Sequence, residues 1–168
     1  MNKSTYKLLG TLAGLSFAAA AAVHGLTFLG VTVPGAFVLH IAALALFFPA
    51  VIISSTAQRR QKRPNSPWAA FAILAPAPLW MKIVLPLCFL YTGVNFLLFM
   101  ALSGGGGPHQ EAGKYYIMNH GVIIRELTAS EYHWQQAYVA RGFSGHWLLF
   151  LFAAWTIYTA AARRAQDV

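Results

Sequence analysis

The sequence predicts an all-α membrane protein, a four-transmembrane-helix bundle with a small outer β-hairpin and an interfacial helix between spans three and four. Of its 168 residues, 58% are hydrophobic and only 10% are charged, whereas a soluble domain carries about 25% charged residues. Four apolar stretches each reach the ~20 residues that a helix needs to cross a hydrocarbon core of ~30 Å. Residues 1–168 are therefore expected to form a single membrane domain.

The four predicted spans follow one another with breakers between them. They cover residues 8–29, 34–57, 82–102 and 142–162. Lys3 and Lys7 ahead of the first span resemble the start of a signal peptide, but the apolar run is longer than the ~7–15 residues of a signal core, which favours an uncleaved span. Pro49 and Pro86 are expected to kink spans two and three without ending them, because neighbouring helices satisfy the freed carbonyls.

The distribution of basic residues predicts the orientation. Lys and Arg concentrate on the side of the two termini, and only Lys114, Arg125 and Arg141 fall on the other side. Cytoplasmic loops retain Lys and Arg, so both termini are expected to be cytoplasmic, with residues 103–141 outside. The net charge of +8 then belongs to the inner face.

Residues 58–80 form the cytoplasmic connection between spans two and three. Beside a span, the basic run 59–63 favours topology and contact with anionic headgroups, and it argues against nucleic acid as a partner. Residues 67–80 combine aromatic side chains with Pro76 and Pro78. This composition predicts a short interfacial helix under the bundle.

The outer segment 103–141 has a different character. Residues 104–107 are glycines and are expected to be a flexible linker, whereas 115–118 and 122–127 favour β-strands. Between those runs, Asn119-His120-Gly121 predicts a hairpin turn with positive φ. Thr128 followed three residues later by Glu131 predicts a capping box that begins a helix leading into span four.

Most enzyme classes lack support in the sequence. Cys88 is the single cysteine, so an intramolecular disulfide is excluded. No Walker loop, nucleophile elbow, His-Glu-x-x-His or dinucleotide fingerprint occurs. No predicted span contains Asp or Glu, which argues against a proton-coupled transporter and a di-iron oxidase. These features favour a protein that is not an enzyme.

The histidines offer the strongest functional signal, because all six lie in the outer half of the predicted topology. His24, His40 and His146 are predicted at one depth, ~6–9 Å inside the outer boundary. If these side chains turn inward, they converge, and imidazole is a good ligand for haem iron, copper or zinc. His120 in the hairpin turn is a further candidate for the same layer.

Two helix faces are expected to take part in helix packing, and the one on span three should point into the bundle. Cys88, Tyr91, Thr92 and Asn95 form a polar stripe on span three, where Asn95 is placed to bond an imidazole or to hold helices together. Gly14, Ala18, Ala21 and Gly25 form a small-residue face on span one. Such faces permit close helix packing.

Two functions stay open from the residues alone. The first is an accessory, assembly or protein-interaction subunit, whose partners are the lipid bilayer and a larger membrane complex or a second copy of the chain. The alternative is a haem-binding or copper- or zinc-binding protein that uses His24, His40 and His146, supported by Tyr91, Asn95 and His120.

Three short motifs carry a resemblance to known sequences. They are Asn95-Phe96, Asn119-His120-Gly121 within residues 115–132, and Phe143-Ser144-Gly145-His146-Trp147. With these motifs the chain resembles an uncharacterised family of bacterial four-span inner-membrane proteins. The resemblance implies a bacterial cytoplasmic membrane and a role for His120 and His146, and it implies no particular activity.

Overall fold

The computed structural model describes residues 1–60 and 72–165. These ranges contain four helices that are long and apolar enough to cross a membrane, which is consistent with the predicted multi-pass membrane protein. The helices are α1 (Lys3–Thr27), α2 (Val38–Arg60), α3 (Leu79–Leu102) and α4 (Ala129–Arg164); strands β1 (Gly107–Glu111), β2 (Lys114–Asn119) and β3 (Val122–Leu127) lie between α3 and α4.

The helix bounds differ from the predicted spans for local reasons. Helix α1 begins at Lys3 rather than residue 8, because the Asn2 side chain accepts a hydrogen bond of 2.9 Å from the Thr5 backbone N–H and caps the helix. Helix α2 begins at Val38 rather than residue 34, after a turn in which Gly35 has a φ of +73°. Pro49 and Pro86 lie inside α2 and α3, as predicted.

Helix α4 is the centre of the arrangement. Two buried clusters each combine α1, α2 and α4: one contains Ala13, Ala50, Ala154 and Tyr158, and the other contains Ala20, Ala43, Trp147 and Leu151. Helix α3 packs on α4, and in the described ranges it does not pack extensively on α1 or α2. The bundle is therefore open, with three helices arranged around one.

The small-residue face of α1 is used only in part for packing within the described residues. Ala18, Ala21 and Gly25 are exposed, whereas the buried face of α1 carries Ala13 and Ala20. Gly14 alone of the predicted set reaches α4, where a Cβ would lie 3.0 Å from the Trp155 ring. Trp147 and Trp155 make the surface of α4 bulky, and the alanines on the buried face of α1 leave room for these two side chains.

The outer segment forms an antiparallel sheet of strand order β1-β2-β3. The predicted hairpin is confirmed, with φ of 47° at His120 and 82° at Gly121 in its turn. Strand β1 was not predicted, because Gly-Pro-His-Gln-Glu has little β propensity and becomes a strand by pairing with β2. A Cβ at Gly106 would lie 2.5 Å from the Met118 carbonyl oxygen, so the chain needs glycine where it enters the sheet.

The start of α4 confirms the predicted capping box. The Thr128 hydroxyl accepts from the Glu131 N–H at 3.2 Å, and the Glu131 carboxylate accepts from the Thr128 N–H at 2.8 Å. The helix then continues without a break over 36 residues, ~54 Å at ~1.5 Å per residue. It is longer than the ~20 residues that a span requires, and the sheet packs against it.

The predicted interfacial helix over 67–80 falls partly outside the described residues. In the described part, Ala72 and Ile73 are helical, a turn follows, and Trp80 already belongs to α3. Ile73 and Leu74 are buried, so this segment packs against the protein. Arg163 donates to the Pro76 carbonyl oxygen at 3.3 Å and ties the segment to the end of α4.

Candidate functional site

His24 lies in the last turn of α1 and links three helices through its ring. The Ser144 hydroxyl donates to the Ala140 carbonyl at 2.7 Å, so its oxygen accepts from His24 Nδ1, also at 2.7 Å. A proton on Nδ1 leaves Nε2 as the acceptor for the Tyr91 hydroxyl. Both ring nitrogens of this 5% exposed histidine are therefore occupied by hydrogen bonds.

His40 and His146 have separate partners. His40 Nδ1 accepts from the Trp147 indole N–H at 3.0 Å, which places the proton of the neutral ring on Nε2. His146 Nδ1 donates to the Gly142 carbonyl at 3.0 Å. That bond leaves the Nε2 lone pair available, in the arrangement usual for a metal-binding histidine.

The structure does not bring the three predicted ligands together. Around α4, His146 lies ~200° from Ser144, the partner of His24, because successive helical residues are ~100° apart. His40 reaches α4 at Trp147, while the His146 ring faces Phe96 of α3 at 5.6 Å. Residues 1–60 and 72–165 contain no group of three or more His, Cys, Asp or Glu side chains placed to hold a metal ion. His120 is exposed in the β2–β3 turn.

The polar stripe of α3 faces α4, as predicted. Thr92 Oγ1 donates to the Gly145 carbonyl at 3.0 Å, and Asn95 Nδ2 donates to the Arg141 carbonyl at 3.0 Å. Asn95 therefore hydrogen-bonds backbone carbonyls of α4 and not an imidazole. Of its two predicted roles, this contact fits the one in which Asn95 holds helices together. Gly142 and Gly145 permit this approach, since a Cβ at Gly142 would lie 2.6 Å from Phe99 Cγ.

Arg141 is the side chain that the sequence interpretation missed. Its Nη2 donates to the Thr27 carbonyl at 2.6 Å and its Nε to the Thr27 hydroxyl at 3.2 Å, so it caps the end of α1. The guanidinium carbon lies 4.1 Å from the centre of the Phe28 ring and 5.1 Å from that of Tyr138. The available signal was its position directly before an apolar span, where a cation needs a partner.

A cavity of about 130 Å³ lies beside Arg141, between the end of α1, α3 and α4. We call it the Arg141 cleft. Its lining residues are mostly apolar: Phe28, Tyr91, Val94, Asn95, Leu98, Phe99, Leu102, Tyr138, Arg141 and Gly142. The two ion pairs of the described residues, Lys114–Glu126 and Arg125–Glu131, lie in the sheet and at the start of α4. The cleft thus combines an apolar wall with a cation that forms no ion pair with any carboxylate in residues 1–60 and 72–165.

Comparisons with known proteins identify no relative of this chain. No protein-family model, curated protein or solved structure matches the chain. Inference about function therefore depends on the residues described above.

Proposed function

We propose that this protein is an accessory or interaction subunit of a larger membrane assembly. The observation that supports this function best is the uncovered small-residue face of α1, with Ala18, Ala21 and Gly25. Within the described residues, a Cβ added at Gly25 would meet no atom within 4 Å, so packing among them does not explain a glycine there. Small residues favour helix association in membranes because they let two backbones approach closely.

The rest of the exposed surface of α1 has a different composition. Leu12, Leu15 and Leu26 lie ~60–120° around the helix from Ala18 and are 44%, 66% and 37% exposed. Large aliphatic side chains are suited to lipid. The contrast between these two neighbouring strips favours a helix of another subunit, or of a second copy, against the small-residue face.

The proposed setting is the bacterial cytoplasmic membrane, with both termini in the cytoplasm. The concentration of Lys and Arg on the side of the termini supports this orientation. The sequence resemblance to bacterial four-span proteins supports the compartment.

A pair of adjacent substitutions tests the proposed interface. Ala18→Leu places a large side chain on the small-residue face, whereas Ala19→Leu places the same side chain beside Leu12, Leu15 and Leu26. We expect Ala18→Leu to reduce recovery of the partner about tenfold after cross-linking and co-purification from native membranes, because overpacking costs ~1–3 kcal/mol. Ala19→Leu should leave recovery at the wild-type level.

Equal recovery with both variants would contradict the interface, as would a chain that cross-links to no partner at native expression. The same preparation tests the alternative function by absorption spectroscopy and elemental analysis. A Soret band, or stoichiometric copper or zinc, that is lost on His40→Ala or His146→Ala would replace the accessory role with cofactor binding.

A further inference from the structure

The guanidinium of Arg141 keeps donors beyond those that it uses within the chain. Arg carries five N–H groups and a permanent charge, and among the residues that the structure describes Arg141 donates two hydrogen bonds, both to Thr27. Within the described residues, both ion pairs involve other cations. A partly buried cation with unused donors next to an apolar cavity is a binding element for an anion.

Arg141 lies at the outer end of predicted spans one and four, where lipid headgroups are expected. Arg141 contacts Thr27 and Phe28 at the end of α1, and it directly precedes the apolar part of α4. The contacts with Phe28 and Tyr138 restrict the plane of the guanidinium, so little conformational entropy is lost when it binds a planar pair of oxygens.

An uncovered apolar surface continues from the cleft along α3. Val94 lines the cleft, and Leu87 and Leu90 lie one to two turns deeper; these three side chains are 49%, 57% and 64% exposed. Because α3 does not pack extensively on α1 in the described ranges, the cleft is open toward the lipid on this side. An acyl chain attached to a group at Arg141 fits along this surface.

The size of the cleft favours a headgroup over a whole cofactor. Its volume of about 130 Å³ is roughly four times the ~30 Å³ share of one water molecule. Pockets that enclose drug-sized ligands have ~300–1,000 Å³. The cleft therefore has room for a compact anionic group, with the remainder of an amphiphile outside it.

We propose that the Arg141 cleft binds the phosphate of an acidic phospholipid, whose acyl chain lies along Val94, Leu90 and Leu87. A phosphodiester oxygen pair accepts from the unused N–H groups of Arg141. An acidic lipid is preferred because its phosphate has no ammonium group of its own that competes for the charge.

The test is a lipid titration of the full-length protein purified in neutral detergent, with thermal stability as the readout. Phosphatidylglycerol should bind about tenfold more tightly than phosphatidylethanolamine, and Arg141→Gln should weaken phosphatidylglycerol about tenfold, since charge-assisted hydrogen bonds contribute at that scale. Leu98→Trp, which fills the cleft from its wall, should weaken the binding of phosphatidylglycerol by a similar factor. Leu97→Trp is the matched control, because Leu97 is 68% exposed and lies outside the cleft.

Arg141→Gln also removes the cap of α1 and could therefore fail to fold. In that case the test is the comparison of Leu98→Trp with Leu97→Trp. Equal phosphatidylglycerol affinity in those two variants would overturn the proposal. Competition by inorganic phosphate as strong as that by phosphatidylglycerol would also overturn it and would identify a site for a soluble anion. Ala18→Leu should bind the lipid normally, which separates this inference from the proposed subunit interface.

Discussion

The three histidines of the helix bundle differ in the nitrogen that each leaves available. His24 uses both nitrogens, and the bond from Trp147 leaves His40 with its proton on Nε2. Only His146, among these three, keeps an Nε2 lone pair outside its hydrogen bond. A shared metal centre bound through Nε2 would therefore require His24 to lose the bond from Tyr91, His40 to change tautomer, and the side chains to move around α4. Hydrogen bonds from His24 and His40 to other helices, and from His146 to the Gly142 carbonyl of its own helix, account for all three without such changes.

Gly142 lies where α3 approaches α4 too closely for a side chain to fit without movement. A Cβ there would lie 2.6 and 2.7 Å from two atoms of the Phe99 ring. We expect Gly142→Ala to lower the free energy of unfolding by ~1–3 kcal/mol, because the Phe99 ring has to move within a packed interface. Unfolding in mixed micelles with increasing denaturing detergent measures the change.

Gly93→Ala is the control for that substitution, since an added Cβ at Gly93 meets no atom of the described residues within 4 Å. Alanine is also a better helix former than glycine, so this variant should be neutral or more stable by ~0.5–1 kcal/mol. Two variants of equal stability would show that α3 and α4 are farther apart than described here.

At the scale of the element, the beginning of α4 depends on one carboxylate. Glu131 lies outside the predicted span 142–162, and its pKa is lowered from 4.5 to about 2, first by the hydrogen bond from the Arg125 side chain and then by the bonds from Thr128. A lowered pKa in the folded state means that the stabilisation is present above the unfolded value of 4.5 and is lost as the pH falls toward 2.

Glu131→Gln should therefore increase amide hydrogen exchange in residues 129–133 at neutral pH. The difference from the wild type should decrease between pH 4.5 and about 2, where the wild-type carboxyl also becomes neutral. Hydrogen exchange with mass spectrometry measures both. Glu111→Gln in β1 removes the same charge away from the cap and should leave the exchange of these residues unchanged; an equal effect would assign the change to net charge.

The elements between α3 and α4 show where local signals suffice. The β2–β3 turn and the capping box of α4 are formed by residues adjacent in sequence, and both were predictable from His120-Gly121 and from Thr128 and Glu131. Strand β1 depends on its partner β2 across a turn at Ala112 and Gly113, both with positive φ. Its own residues carry little strand propensity, so its conformation depends on pairing.

At the scale of the whole molecule, the attachment of α1 and α2 depends on alanine contacts with α4. Ala13, Ala50 and Ala154 are each 0% exposed where the three helices meet. Ala154→Leu should separate α1 and α2 from α4 together, with a loss of at least ~1–3 kcal/mol, because a larger side chain has no space at the meeting point.

The exposed Ala19→Leu on α1 is the control for this substitution and should keep the wild-type stability. Thermal unfolding in detergent, followed by helical circular dichroism and by proteolysis of the loop between α1 and α2, measures both variants. Early cleavage of that loop in Ala154→Leu is the expected result. Unchanged unfolding would mean that α4 is not the centre of the fold.

The sequence by itself determined the membrane class, the order of the spans, the hairpin turn and the helix cap. These features depend on hydropathy and on contacts between residues near one another in the chain. The tertiary structure decided which face of each helix is buried. It turned the small-residue face of α1 outward, directed Asn95 to backbone carbonyls, separated the three histidines around α4 and placed Arg141 beside a cleft. Depth along a helix can be counted from the sequence, but rotation about the helix axis is set by packing against helices distant in the chain.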